Sequence, residues 1–385
     1  MLHNVSQFSE CFGCGVCAAA CPKNAIAYKV ADAGFYRPSV DETKCVDCGL
    51  CMRVCSYSDH GIARKENSET GFYSAWSNNE QTRRLASSGG VVQELAQACM
   101  KAGYSFCAAR YDHTDNRVKH TIIDDAADLR SCTGSNYIQS DFVTDGIGKL
   151  QASQKYLVIG TPCQIDSLRR LIRLQKREDD FILVDFFCHG VPSIRMWDKY
   201  LSYTRKTGFQ EVRFRDKREG WHEASYRIVL AKEGERLWES KLTDGDLFYQ
   251  FFLRDRCLNA ACYGPCKFKT VHSAADIRVG DMWGRKFSGD RQGVNVVITF
   301  SEKGEKVFKG LKTCTIHVED KEQALDGQMT CNAKRPPSYP YVYKALHTSK
   351  SLPRIQRGAL LREFPGRVKS RLVAYTQILK RHFVK

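Results

Sequence analysis

Two short stretches near the start of this 385-residue chain carry cysteine at a spacing that leaves little choice of chemistry. Cys11, Cys14, Cys17 and Cys21 run as C-x₂-C-x₂-C-x₃-C followed by Pro22, and the run recurs as Cys45, Cys48, Cys51 and Cys55. Three thiolates within seven residues wrap one four-iron cubane, while the fourth is carried toward a neighbouring cluster. That assigns Cys11, Cys14, Cys17 and Cys55 to one [4Fe–4S] cluster, and Cys45, Cys48, Cys51 and Cys21 to a second. Two zinc sites are the alternative, but structural zinc pairs well-separated C-x₂-C units, so clusters are preferred. Gly15 and Gly49 follow the middle cysteines and let the backbone approach the sulfides closely. The second run departs from the first in one respect: Ser56 stands where the first has Pro22, which weakens the turn but keeps every thiolate.

A second set of cysteines lies downstream. Gly160-Thr-Pro-Cys163-Gln follows the apolar stretch Tyr156–Gly160, and Cys188-His-Gly190 follows Phe181–Phe187. In an open α/β sheet ligands bind beyond the carboxyl ends of the strands, so parallel strands would place both thiols on one edge. Cys257, Cys262 and Cys266 form a further ligand-spaced group. Each of the five alone reads as a buried thiol, whereas the set reads equally well as a third metal site. Cys99, Cys107, Cys132, Cys314 and Cys331 lack such spacing and are expected to be core or incidental. Ser87-Ser-Gly-Gly90 opens a helical pattern, which suits a phosphate but is more often an ordinary N-cap. Arg213, Arg215, Lys217, Arg218, Trp221 and His222 form a basic segment, either a receiver for an anionic cofactor tail or a solvated hairpin.

The elements that must position these residues follow from apolar periodicity. Strands are expected at Phe72–Trp76, Tyr156–Gly160, Phe181–Phe187, Asp276–Val279 and Val294–Phe300, with a hairpin pairing Tyr226–Ala231 and Arg236–Glu239. Helices are expected where Val91, Leu95, Cys99 and Ala102 share a face, where Ile165, Leu168, Leu171 and Ile172 do, and over Met196–Lys206. The continuous run Phe181–Phe187 is that of a buried parallel strand.

Composition bounds the rest. With 43% apolar and 11% aromatic residues the chain can build real cores, and disorder is excluded for most of it. No apolar run approaches the roughly 18 residues of a membrane span. The segment before Cys11 lacks a basic n-region and an apolar h-region, so a cytoplasmic location is expected, where eighteen cysteines argue for metal binding rather than a disulfide framework. The net charge of +16 is uneven: residues 1–60 carry −1 and residues 350–385 carry +9. No recognition motif accompanies it, and no nucleic acid is expected. Val368, Leu372, Tyr375, Leu379 and Phe383 form one stripe of a basic tail helix, suited to docking on its own domain or to peripheral membrane contact.

Six segments in order resemble one family: Ser87-Ser-Gly-Gly90, Gly134-Ser-Asn-Tyr137-Ile-Gln-Ser140, Gly160-Thr-Pro-Cys163-Gln, Cys188-His-Gly-Val-Pro192-Ser, Phe214-Arg-Asp-Lys-Arg-Glu-Gly-Trp221 and Ala275-Asp-Ile-Arg-Val-Gly-Asp-Met-Trp283-Gly. Over residues 8–300 the chain resembles the beta subunits of coenzyme F420 hydrogenases and dehydrogenases, in the form with an N-terminal 2[4Fe–4S] ferredoxin domain. The resemblance implies a flavoprotein that binds FAD beside a third [4Fe–4S] cluster. Carried over, that cluster falls on Cys163, Cys188, Cys262 and Cys266, with Cys257 spare. Three residues, Tyr-Gly-Pro, separate Cys262 and Cys266 where two are expected, which leaves open whether Cys257 replaces one of them. Flavin or substrate contacts are expected at Ser87, Ser88, Gly89, Gly90, Ser135, Tyr137, Thr161, His189, Asp281 and Trp283.

The expected fold is an α+β ferredoxin-like two-cluster head, an α/β flavin domain with antiparallel elaborations, and a helical basic tail. The boundaries fall at 1–63 for the head, 64–155 and 156–345 for the two parts of the flavin domain, and 346–385 for the tail. The expected function is an oxidoreductase moving electrons between a hydride carrier, coenzyme F420 or another, and a partner protein or small electron carrier. The alternative is a non-enzymatic ferredoxin-type electron-transfer subunit, which the family associates with polysaccharide biosynthesis.

Overall fold

The structure, a computed structural model, describes residues 4–58, 61–64 and 69–364; the expected amphipathic stripe of the tail lies outside them. The cysteine repeat produces a structural repeat. Gly15 and Gly49 adopt left-handed backbone, φ +76° and +71°, immediately before the one-turn helices α1 (Val16–Ala19) and α2 (Leu50–Arg53). Glycine takes that conformation without the steric cost a Cβ would add. Between the repeats, β1 (Ile26–Val30) and β2 (Tyr36–Val40) form an antiparallel hairpin.

The remaining chain supplies β3 (Gly71–Ser77), β4 (Tyr104–Asp112), β5 (Arg117–Ile123), β6 (Ser140–Asp141), β7 (Lys155–Ile159) and β8 (Phe181–Phe186). After them come β9 (Glu211–Arg215), β10 (Tyr226–Lys232) and β11 (Glu235–Lys241), and finally β12 (Ile277–Asp281), β13 (Asn295–Thr299) and β14 (Cys314–Val318). Nine of these strands share one mixed sheet in the order β14-β3-β13-β12-β8-β7-β4-β5-β6, while β9 to β11 form a separate antiparallel sheet. The centre, β12-β8-β7-β4, is parallel. Antiparallel strands flank it: β13, β3 and β14 beyond β12, and β5 beyond β4. Strands from before and after residue 155 share this sheet, since β7 pairs with β4, and β3 lies between β13 and β14.

The helices are α3 (Glu80–Leu85), α4 (Val91–Lys101), α5 (Pro162–Leu174), α6 (Ile194–Thr204), α7 (Leu247–Phe252), α8 (Glu302–Lys309), α9 (Lys321–Leu325) and α10 (Tyr339–Leu346). Alternation along the strands decides what covers each face. Tyr156, Val158, Phe181 and Leu183 pack with Ile165 and Leu168 of α5 and with Val16 and Val54 of the head. Leu157, Ile182, Val184 and Ile277 pack instead with Val91 and Leu95 of α4 and Phe308 of α8. The head thus lies on the α5 side. α6 begins two residues earlier than expected because Ser193 caps it, its Oγ accepting from the Arg195 N–H at 3.3 Å.

A third core joins α6, α7 and α10 to the small sheet through Trp197, Tyr200, Phe214, Phe248 and Tyr249. Residues 352–364 form a helix that docks here through buried Leu352, Ile355 and Ala359, and its Glu363 pairs with buried Arg256. Among the described residues no helix is long and apolar enough to cross a membrane.

Candidate functional site

Because β7, β8 and β12 are parallel, the loops leaving their carboxyl ends converge on one edge. There they surround a cavity of about 490 Å³, a volume typical of cofactor sites. The β7–α5 turn explains the motif Gly160-Thr-Pro-Cys-Gln. Pro162 opens α5, where a missing N–H costs nothing, and Gln164 Oε1 accepts the Thr161 N–H at 2.9 Å. Gln164 Nε2 donates to Ser140 Oγ at 3.2 Å, tying the turn to β6. Cys163 is thereby set in the first turn of a helix, where burial pushes its thiol up and Cys14, Cys188 and Cys262 add to the effect.

Cys188, Cys262 and Cys266 line the same cavity. Gly190, at φ +140°, lets the loop after β8 meet the 260–266 turn; a Cβ there would lie 3.1 Å from Cys262 Cβ. Cys257 does not join them. It is buried in the aromatic core, and its carbonyl accepts the Ser193 N–H at 2.8 Å. Burial pushes both Cys262 and Cys257 up to about 12, but Cys188 adds to the effect at Cys262, while no other cysteine contributes at Cys257. In the head, Cys21, Cys45, Cys48 and Cys51 line one small pocket. Cys14 is pushed up to about 12 by burial, then by Cys55 and Cys11, and Cys17 is raised by burial and by the same group. Among the described residues no three such side chains converge on a single ion; the thiols stand around volumes rather than points.

Of the residues expected to contact flavin or substrate, Ser87, Ser88, Gly90, Ser135, Tyr137, Thr161, His189, Asp281 and Trp283 line the cavity. Gly89 turns away from it. A Cβ there would stand 2.6 Å from Ala75 O, so glycine lets the turn press against β3. One wall is built of small residues: Ser87 Oγ accepts the Ser135 N–H at 2.8 Å, and Ser88 Oγ donates to Val294 O at 2.8 Å. Gly90, at φ +85°, starts α4 without a side-chain cap of its own, and Val91, Val92 and Gln93 continue that wall.

The opposite wall is aromatic. Trp283 stacks on Trp221 at 5.6 Å and on Tyr226 at 6.3 Å, with interplanar angles of 12° and 16°. The Arg215 guanidinium lies 4.3 Å from the Tyr226 ring centre and pairs with Asp281 at 3.2 Å, and Trp221 Nε1 donates to Asp281 Oδ1 at 2.9 Å. This corrects the view of the basic segment as a receiver for an anionic tail. Lys217 Nζ donates to the carbonyls of Arg83, Ser88 and Gln292. Arg218 pairs with Asp216 and Glu239, and Arg213 with Glu211. These cations are engaged by protein acceptors, and Arg215 and Lys217 brace the cavity walls from behind.

Three residues stand at the cavity where sequence reasoning did not place them. Cys14 of the head reaches the cavity wall. Gln139 clasps the head to the body: its Oε1 accepts the Tyr36 N–H at 2.8 Å and its Nε2 donates to Gly13 O at 3.2 Å. His120 of β5 is buried, and its Nε2 lies 2.9 Å from Ile159 O. A carbonyl only accepts, so Nε2 carries the proton and Nδ1, which has no partner among the described residues, is a bare acceptor. Nothing in the sequence around His120 signals this, because its position on the cavity side depends on pairing between distant strands.

Comparisons with known proteins cover nearly the same ground. The family described as coenzyme F420 hydrogenase/dehydrogenase, beta subunit, matches residues 72–144 with its N-terminal part and 153–324 with its C-terminal part. A 4Fe-4S dicluster domain matches residues 10–58. One subunit of the F(420)H(2) dehydrogenase of Methanosarcina mazei is 24% identical over 342 residues, covering 84% of this chain and 89% of that protein. The coenzyme F420-dependent sulfite reductase of Methanocaldococcus jannaschii is 26% identical over 176 residues, 44% of this chain and 26% of that protein. A chain from a structure titled as the F420-reducing [NiFe] hydrogenase complex of Methanosarcina barkeri aligns with a TM-score of 0.46 and 15% identity, over 78% of this chain and 92% of its own.

Proposed function

The chain belongs to the family of coenzyme F420 hydrogenase/dehydrogenase beta subunits, and from that premise we propose an iron–sulfur flavoenzyme that passes electrons between a hydride carrier and a partner. Membership makes it an oxidoreductase, and its dicluster domain makes it an iron–sulfur protein. The observation that supports the finer reading is the company kept in one cavity. Five body cysteines (Cys132 beside the four ligand candidates), a head cysteine, a stacked aromatic wall and the first turn of a helix all face it.

The donor sets fit the groups proposed. Cys163, Cys188, Cys262 and Cys266 would hold a third [4Fe–4S] cluster, and the eight head cysteines two more. Ser87, Ser88, Gly90 and the first turn of α4 would hold the phosphates of FAD, since unpaired helix N–H groups favour anions; Val91 N–H is taken by Asn295 Oδ1 at 3.2 Å, which leaves those of Val92 and Gln93. Trp283 and Tyr226 would border its ring system as part of the aromatic wall, and the neutral His120 offers an acceptor. Bound FAD supplies the adaptor chemistry, accepting two electrons together and releasing them singly. The chain's own side chains bind and orient. Lys217 fixes the loop that bears Ser88, and Arg215 and Asp281 fix the aromatic wall. Lys269 Nζ donates to Cys188 O at 2.6 Å and sets the loop that carries that thiol.

The test is anaerobic purification followed by iron, zinc and flavin quantitation, then reduction by F420H₂ or a reduced nicotinamide. About twelve irons and one FAD per chain are expected. Zinc in place of iron, or no flavin, overturns the proposal. The donor that reduces the flavin identifies the hydride carrier.

A further inference from the structure

The head meets the cavity at Cys14, and Cys14 meets the body at Ser167. Cys14 Sγ lies 3.3 Å from Ser167 Oγ, and the same oxygen accepts the backbone N–H of Ser56 at 3.0 Å. Ser167 is fully buried, so no bulk water competes for its hydroxyl. It stands on α5 one turn after Cys163, and residues four apart share a helix face. One face of one helix therefore presents a thiol to the body cavity and a hydroxyl to the head.

In the metal-free chain the Cys14 thiol can donate to Ser167. A cluster-ligating thiolate has no proton and can only accept, so the hydroxyl must then be the donor. The Ser56 N–H fills a lone pair of Oγ and leaves its one proton for sulfur. Ser56 is also the residue at which the second cysteine run departs from the first, which has Pro22 there. A proline has no N–H and could not make this bond. The departure thus has a physical use: Ser56 supplies through its backbone what proline would remove.

We propose that Ser56 N–H, the Ser167 hydroxyl and Cys14 sulfur form a relay that raises the reduction potential of the cluster held by Cys11, Cys14, Cys17 and Cys55. Ser167 is then a positioning residue for electron passage between body and head. A reduced cluster carries one more negative charge than an oxidised one, so a donor aimed at its sulfur stabilises the reduced form more. The inference rests on the proposal that the head holds two clusters.

The experiment is a redox titration followed by electron paramagnetic resonance on the full chain, purified anaerobically, together with its iron content. Ser167→Ala is expected to keep the iron and shift one head cluster to lower potential. The reduction equilibrium constant should fall about tenfold, 59 mV for a one-electron couple. Ser167→Thr, which retains the hydroxyl, restores the native value, and Ser56→Ala, which retains the N–H, leaves it native. Ser56→Pro, if it folds, moves the same cluster in the same direction as Ser167→Ala. Unchanged midpoints in Ser167→Ala overturn the relay. Iron loss in that variant also overturns it, because Ser167 would then support cluster assembly rather than potential. A wild-type chain without cluster signals overturns the parent reading instead, and the two failures are distinct.

Discussion

Arg215 and Asp281 meet at 3.2 Å behind the aromatic wall of the cavity, joining the end of β9 in the small sheet to the end of β12 in the large one. Burial opposes the Arg215 charge, and Asp281 outweighs it, so the guanidinium stays ionised. Asp281→Asn leaves a buried cation without its counter-charge and weakens the acceptor for Trp221 Nε1. The expected loss of stability is roughly 3 kcal/mol, with faster flavin release as Trp283 loses its support. Thermal melting and flavin fluorescence after gel filtration check both; native flavin retention would show that this wall does not hold the cofactor.

The body cysteines divide by location, and their variants should divide the same way. Cys262→Ser and Cys266→Ser are each expected to lower bound iron by about four per chain, one cluster's worth. Cys257→Ser, buried among aromatic side chains away from the cavity, is expected to keep the full iron content. Iron analysis settles the assignment; a Cys257→Ser chain short of four irons would reverse it.

Asp185 of β8 and Arg278 of β12 form a bidentate pair with both side chains fully buried, 2.7 Å at each contact. Arg278 also donates to the carbonyls of Phe268, Thr270 and His272, which follow Cys266. Arg278→Met is expected to cost roughly 3–5 kcal/mol, because Asp185 remains buried and unpaired. The double variant Asp185→Leu/Arg278→Met should recover part of that loss. Chemical denaturation of the three chains measures it.

His120 makes stability depend on pH. Burial lowers its pKa from the usual 6.5 to about 4. The unfolded chain then binds a proton that the folded one refuses, so this contribution is present above pH 6.5 and is lost as pH falls toward 4. Its full size is about 3 kcal/mol. His120→Gln keeps a donor for Ile159 O without titrating, and its melting temperature should fall less between pH 7 and pH 5 than that of the parent chain. Equal falls in the two chains would count against the assignment.

Local pattern alone accounts for much of the architecture. The cysteine spacing marks the head, and the apolar run Phe181–Phe187 marks a central strand that the structure places at β8, between β7 and β12. The capping signature of Thr161, Pro162 and Gln164 marks where α5 begins. These features depend on residues within a few positions of one another, where helix period, strand alternation and turn chemistry act directly. Antiparallel elaborations are present as expected, but that β13, β3 and β14 supply them was not legible, because the partners of β3 lie more than two hundred residues away and leave no local trace.

The same limit separates motif from role at the cavity. Phe214-Arg-Asp-Lys-Arg reads as a basic surface, yet Arg215 and Lys217 are buried braces, since the acceptors that engage them come from β12 and from the turns around Arg83, Ser88 and Gln292. Spacing does not separate Cys257 from Cys262; packing gives them different surroundings, Cys262 lying against Gly190 while Cys257 enters the aromatic core. The types of ligand and their grouping within each run were properties of the chain. Which groups share a cavity, and that Ser167 lies between two of them, were settled by packing, because helix α5 places side chains one turn apart against partners more than a hundred residues away.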